Sequence, residues 1–208
     1  MLRNKRLFAI DRIPVPRPLR APRADNRLPL LLDAAARHFT AAGFHGASIR
    51  DIVRTVDMLP GSLYYHFAAK EDLLVAVYEE GVRLITEKVR AAVARHAEPW
   101  QRLEAACVAH LEALLEESDY AQVVIRVRPN DVPSVAGHLV ELRDGYERLW
   151  VDLVAALPVR RGVDRRNLRL MLLGALNWTQ NWYRAGHDDP ATIARHFVGL
   201  LRTPVTRE

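Results

Sequence analysis

Residues 48–67, SIRDIVRTVDMLPGSLYYHF, decide how this chain is read. They spell two short helices joined by a tight turn. Ser48 is placed to cap the first helix, its hydroxyl accepting from a free N–H of the first turn, and Asp51 falls at the third helical position, where its charge faces the positive end of the helix dipole. Ile49, Ile52, Val53 and Val56 recur at helical spacing and give one apolar face. The pattern stops at Asp57-Met58-Leu59, and Pro60 restarts it, since a first helical position has no use for the N–H that proline lacks. Leu63 and Phe67, four apart, turn inward and leave Gly61, Ser62, Tyr64, Tyr65 and His66 outside. A small, polar and aromatic outer face suits a DNA major groove. Ser62 lets a helix come close to base edges, and the tyrosine hydroxyls and His66 have phosphates in reach.

Helix, turn and helix at this spacing resemble the DNA-binding head of the TetR family of one-component regulators. LPLLLDAAARHFTAAGFHGASIRDIVRTV, residues 28–56, resembles that family's first two helices. PGSLYYHFAAKEDLL, residues 60–74, resembles its recognition helix and the start of the next. Two positions depart from the pattern. Asp57 stands where glycine is usual, although aspartate tolerates a left-handed backbone better than most residues. Leu59 stands where Ser or Thr usually caps the recognition helix, and a lost cap typically costs about 1 kcal/mol. The resemblance implies DNA contacts from Tyr64, Tyr65, His66 and Lys70, the last on backbone phosphate. Arg50 stands open between a base or phosphate contact and a plain exposed arginine, and Tyr64 between DNA contact and partly buried packing.

Composition sets the frame around this head. The chain has 208 residues, half of them hydrophobic, which suffices for one compact unit or two small domains sharing a core. One cysteine, Cys107, gives no disulfide framework, and no run is apolar enough to span a membrane. With no signal peptide recognised either, a cytoplasmic setting is expected. The net charge of +5 is concentrated at one end. Residues 1–27 carry eight basic side chains against Asp11 and Asp25, a surplus of six, so the remaining residues total −1. Pro14, Pro16, Pro18 and Pro22 disfavour helix and sheet there, so an extended basic arm is expected. It is read either as an arm following DNA or as a solvated tail.

Downstream the chain reads as helix throughout. Residues 28–42 form the first helix, ended by Gly43, and residues 71–96 form one long helix with Leu73, Leu74, Val77, Val82, Ile85, Val89 and Val93 on its stripe. Further helices are expected over residues 100–117, 133–157, 168–184 and 191–201. Residues 120–127 are rich in Val and Ile, yet their helical neighbours favour helix. The expected class is all-α, about nine helices: a three-helix helix-turn-helix head (28–75), a ligand-binding and dimerisation bundle (76–208) and the arm (1–27).

Trp100, Trp150, Trp178 and Trp182 all lie in the second part. Trp178 and Trp182 share a face with Leu168, Met171 and Ala175; large aromatics at this spacing make either core or the wall of an apolar cavity between helices. Asn177 and Asn181 form a polar stripe beside them, facing a ligand or a two-fold mate, and Tyr146 adds an aromatic on the 133–157 stripe. GALNWTQNWYRAG, residues 174–186, resembles a subgroup of TetR-like regulators that control fatty-acid or steroid breakdown, some of which respond to acyl-CoA thioesters. For such an effector Arg126, Arg128, Arg143 and His138 are the cations to consider for its phosphates, against the reading that each is a solvent-facing or paired side chain. The family resemblance further implies a homodimer built on the last two helices, which a palindromic operator in double-stranded DNA would match.

No HExxH, Cys/His cluster, glycine-rich phosphate loop or GxSxG elbow is present, so neither metal, cofactor nor catalysis is expected. Cys107 and His110, three apart, read better as a buried cysteine beside a surface histidine than as a nucleophile and its base. The expected function is a ligand-responsive repressor. The competitors are an activator or ligand-blind DNA binder, and an acyl-binding protein whose head no longer binds DNA.

Overall fold

The computed structural model describes residues 27–115 and 118–205 of the 208, the last three of these by backbone alone. The basic arm thus lies outside the described residues except for Arg27, which donates from its guanidinium to the Asp57 carbonyl at 3.1 Å. All the described regular structure is helical. In chain order it comprises α1 (Leu28–Gly46), α2 (Ile49–Thr55), α3 (Pro60–His66), α4 (Lys70–Val93), α5 (Pro99–Leu115), α6 (Asp119–Arg126), two 3-10 turns (Pro129–Asp131, Pro133–Val135), α7 (Ala136–Ala155), α8 (Arg165–Trp178), a third 3-10 turn (Thr179–Asn181) and α9 (Pro190–Val205).

α1 is interrupted where the sequence puts its end. Gly43 takes φ 70, ψ 168, a conformation open to a residue without a Cβ, and the helical hydrogen bonding resumes for half a turn beyond it. α2 opens at Ser48 with an extended backbone whose carbonyl accepts from the Asp51 and Ile52 N–H groups at 3.1 and 3.0 Å. The Ser48 hydroxyl, expected to cap, makes no capping bond; Asp51 instead pairs with Arg54. Asp57 holds φ 51 in the turn, the left-handed conformation its position requires. α3 begins at Pro60 with no side-chain cap from Leu59, and Leu63 alone of its residues is buried. Phe67, just past its end, is partly buried against the head core.

The 168–184 helix expected from the sequence is shorter. α8 ends at Trp178 because the next side chains take its last carbonyls. Thr179 Oγ1 donates to the Ala175 carbonyl at 3.1 Å, and the Gln180 and Asn181 amides donate to the Asn177 and Trp178 carbonyls at 3.1 and 3.2 Å. These bonds tighten the chain into a 3-10 turn.

Two apolar clusters hold the fold together, and α4 contributes to both. The first gathers Leu31, Phe39, Ile52, Leu63, Leu73, Leu74 and Tyr78 and is closed from the body by Val123, Val127 and Leu139. The second gathers Ile85, Val89, Trp100, Leu103, Trp150, Leu153, Leu172 and Ile193. Head and body therefore share the first cluster, and α4 runs from it into the second. α6 packs on both α1 and α4, α5 on α4 and α9, and α7 on α8.

Candidate DNA-binding face and effector cavity

α3 presents a surface that burial does not explain. With Leu63 sealed inside, Gly61, Ser62, Tyr64 and Tyr65 are exposed, Tyr65 at 86 %. Tyr65 and His66 meet edge to face at 5.2 Å between ring centres. Arg50 is exposed on α2 and Ser48 is half-buried. Lys70 has a different environment. Its Nζ donates to the Phe44 and Ala47 carbonyls at 2.8 and 3.0 Å and lies 4.4 Å over the Phe44 ring. That arrangement fastens the start of α4 to the end of α1, and it engages the ammonium inside the head.

In the body, α4, α5, α6, α7 and α8 enclose a cavity of about 370 Å³. Val82 and Ile85 of α4, Leu114 of α5, Val124 and Ile125 of α6 and Leu170 and Leu173 of α8 make its wall mostly apolar. Four of the residues expected at an effector site line it: Arg128, Arg143, Tyr146 and Asn177. Arg128 and Arg143 are exposed, and Arg143 lies close enough to Tyr78 to act on its phenol, whose pKa burial raises and the guanidinium partly restores.

The remaining expected ligand residues lie elsewhere. Trp100 and Trp150 are fully packed core, although Trp150 stands edge-on to His110 and Tyr146 just behind the cavity wall. Arg126 donates to the Thr40 carbonyl of α1 at 3.3 Å, and His138 is exposed away from the cavity. Trp178, Trp182 and Asn181 are exposed; Trp178 is 65 % accessible on the outer face of the body. The aromatic stripe of α8 therefore faces out, and its neighbouring stripe, Leu170, Gly174 and Asn177, faces the cavity.

His110 was legible only as a surface residue, and the structure corrects this. It is buried and bridges two helices: its Nδ1 lies 2.7 Å from the Tyr146 hydroxyl of α7 and its Nε2 3.0 Å from Asn177 Oδ1 of α8. Burial pulls its pKa down to about 4, against a smaller opposing effect of the Asn177 bond, so the ring is neutral at physiological pH. Burial likewise raises the Tyr146 phenol and the Cys107 thiol, so neither ionises and Cys107 carries no thiolate. Among the described residues no three His, Cys, Asp or Glu side chains gather as a metal site requires.

A helix-turn-helix head joined through a shared core to a helical body with an internal cavity defines the class of protein. Residues 31–77 match the family described as bacterial regulatory proteins, tetR family, and residues 96–205 match the tetracyclin repressor-like C-terminal domain. The chain belongs to the TetR family. It is 31 % identical to the HTH-type transcriptional repressor KstR2 of Mycolicibacterium smegmatis, over 85 % of this chain and 89 % of that protein. It is 26 % identical to the HTH-type transcriptional activator FasR of the same species, over 92 % of this chain and 93 % of FasR. Among solved structures, AibR in complex with isovaleryl coenzyme A and operator DNA superposes with a TM-score of 0.68 at 26 % identity, covering 84 % of this chain and 97 % of AibR.

Proposed function

We propose that this chain is a ligand-responsive transcriptional repressor that grips a palindromic operator as a homodimer and is released by a small apolar effector, with acyl-CoA thioesters as the candidate class. One observation carries the coupling of effector to DNA. α6 and the turn after it face the cavity with Val124, Ile125 and Arg128. The same segment is bonded to the head. Thr40 Oγ1 donates to the Asp119 carbonyl at 3.0 Å, the Tyr120 hydroxyl to Asp33 at 2.8 Å, Arg126 to the Thr40 carbonyl at 3.3 Å and His45 Nε2 to the Asp131 carbonyl at 3.1 Å. An effector that displaces α6 moves α1, and with it the DNA-facing α3. The displacement releases DNA only if the effector binds the non-DNA state more tightly, because equal affinity shifts nothing.

The mostly apolar cavity suits an acyl group, and Arg128 and Arg143 supply cations at its edge for phosphates. Its volume lies at the low end of small-molecule sites, so a compact or medium-length acyl portion is expected. Met171, Trp178, Trp182 and Leu200, on the last two helices and the turn between them, are exposed apolar side chains that a second copy would cover. The assembled site would read two major grooves about 34–36 Å apart through Ser48, Arg50, Gly61, Ser62, Tyr64, Tyr65 and His66. In this reading residues 28–75 are the DNA head and residues 76–208 the sensing and dimerising body. The protein works in the cytoplasm and has no catalytic role. The repressor reading follows the naming of KstR2; the name of FasR keeps activation as the second reading.

The test is a titration against DNA from the region upstream of the protein's own gene, at two salt concentrations and with a panel of acyl-CoAs. Tight, salt-dependent binding released by one compound is expected. Specific binding that no acyl-CoA affects would remove the effector class, and no specific binding would remove the regulator.

A further inference from the structure

We propose that the Tyr146–His110–Asn177 chain selects an effector whose buried portion carries an oxygen function, a hydroxyl or a carbonyl, over the plain alkyl counterpart of the same length. The inference rests on the cavity being the effector site.

The three side chains come from three helices, α7, α5 and α8, and are joined by two hydrogen bonds of 2.7 and 3.0 Å. His110 is neutral, so it can donate through one nitrogen only and must accept through the other. With Asn177 Oδ1 turned to Nε2, the imidazole N–H donates to Asn177 and the Tyr146 hydroxyl donates to Nδ1. The Asn177 amide then keeps two N–H donors with no other partner among the described residues, and the Tyr146 oxygen keeps a lone pair. The neighbouring Trp150 indole N–H is buried and makes no hydrogen bond among the described residues. If the amide is reversed, the roles exchange and Tyr146 becomes the donor to the cavity while Asn177 becomes the acceptor. Either direction leaves at least one donor and one acceptor for a ligand.

Both ends of the chain line the cavity, together with Leu114, Leu170 and Leu173 and the polar Glu147 and Gln180. An alkyl group pressed there covers polar groups with nothing to bond. An oxygen-bearing group of the same size pairs with them. A site built to bond a ligand oxygen rejects the analogue that lacks it by more than a purely apolar pocket rejects a missing methylene. The anchoring also explains why a histidine is buried here. It ties Tyr146 and Asn177 into one bonded chain, so a donor and an acceptor are held at the cavity wall before a ligand arrives.

The experiment measures affinity by calorimetry for octanoyl-CoA, 3-hydroxyoctanoyl-CoA, 3-oxo-octanoyl-CoA and 8-hydroxyoctanoyl-CoA. At least one oxygenated compound is expected to bind about tenfold or more tightly than octanoyl-CoA. Tyr146→Phe and Asn177→Leu should each shrink that ratio to below about threefold. Asn177 is exposed in the folded chain, so its variant keeps the test open should Tyr146→Phe fold poorly. Equal affinity for all four, or a preference that survives both substitutions, overturns the selectivity while leaving the effector class intact. Binding of none of the four overturns both.

Discussion

Asp57 sits at φ 51 between α2 and α3, a conformation that costs an L-residue with an ordinary side chain roughly 1–2 kcal/mol. Aspartate lowers that cost by bonding locally, and a β-branched residue cannot. Asp57→Val is therefore expected to destabilise the chain by about 1–2 kcal/mol in urea unfolding, while Asp57→Gly leaves stability unchanged or slightly raised. The bond from Arg27 reaches the backbone carbonyl of Asp57, so it survives either change. His110 makes a prediction about pH. Its folded pKa of about 4 lies below the ordinary histidine value near 6.5, so the unfolded chain takes up a proton that the folded chain refuses. The stability it contributes is complete above about pH 6.5 and is lost as pH falls toward 4, by up to about 3 kcal/mol. Urea midpoints measured between pH 7 and 5 should fall for the natural chain and fall less for His110→Gln; parallel curves would assign the acid sensitivity to other groups.

At the scale of elements, the approach of α6 to α4 depends on Gly81. A Cβ at that position would stand 2.7 Å from Val124 Cγ2 and 2.8 Å from the Tyr120 carbonyl oxygen. A backbone oxygen cannot swing aside, so Gly81→Ala must push the two helices apart. The expected cost is about 1–3 kcal/mol. Because the same contact sets the cavity wall, effector affinity should change together with the unfolding midpoint. The junction of α1 and α4 turns on Lys70, whose Nζ serves two carbonyls at the end of α1. Lys70→Met leaves those carbonyls without their charged donor and is expected to cost about 1–3 kcal/mol. A lysine serving DNA phosphate alone would behave oppositely: stability would hold, and the salt slope of operator binding would drop by about one.

For the whole molecule, the last two helices and the turn between them leave large apolar side chains exposed. Leu200 is 73 % exposed and Trp178 65 %, and Met171 and Trp182 are exposed as well. Monomeric soluble proteins seldom leave such a face open. A charge in the middle of a covered apolar face has no partner, so Trp178→Glu is expected to shift sedimentation from dimer to monomer. Operator affinity should fall with it, since two linked heads bind more tightly than either alone. A Trp178→Glu chain that still sediments as a dimer would place the interface elsewhere.

Local chemistry made the head readable. Proline at the start of α3, the apolar spacing of Ile52, Val53 and Leu63 and the backbone demand on Asp57 all act within a few residues, and each has its expected structural counterpart. The helical class of residues 120–127 was legible as well, since α6 spans Asp119–Arg126. Side-chain bonding decided what local pattern could not. Ser48 looked like a cap, but its hydroxyl closes no bond, and α8 stops early because Thr179 and its neighbours take its carbonyls. The cavity was the least legible feature. On α8 two stripes lie side by side, and the aromatic Trp178 faces out; which stripe faces inward depends on how α5 and α7 pack against it. His110 lies three residues from Cys107 on one helix, and both are buried because α5 is covered from several sides. The sequence by itself determined the helices, the head and the family, because spacing and turn chemistry are properties of neighbours along the chain. Only the tertiary structure decided which polar groups meet inside, because Tyr146, His110 and Asn177 lie on three helices and become neighbours only when those helices pack.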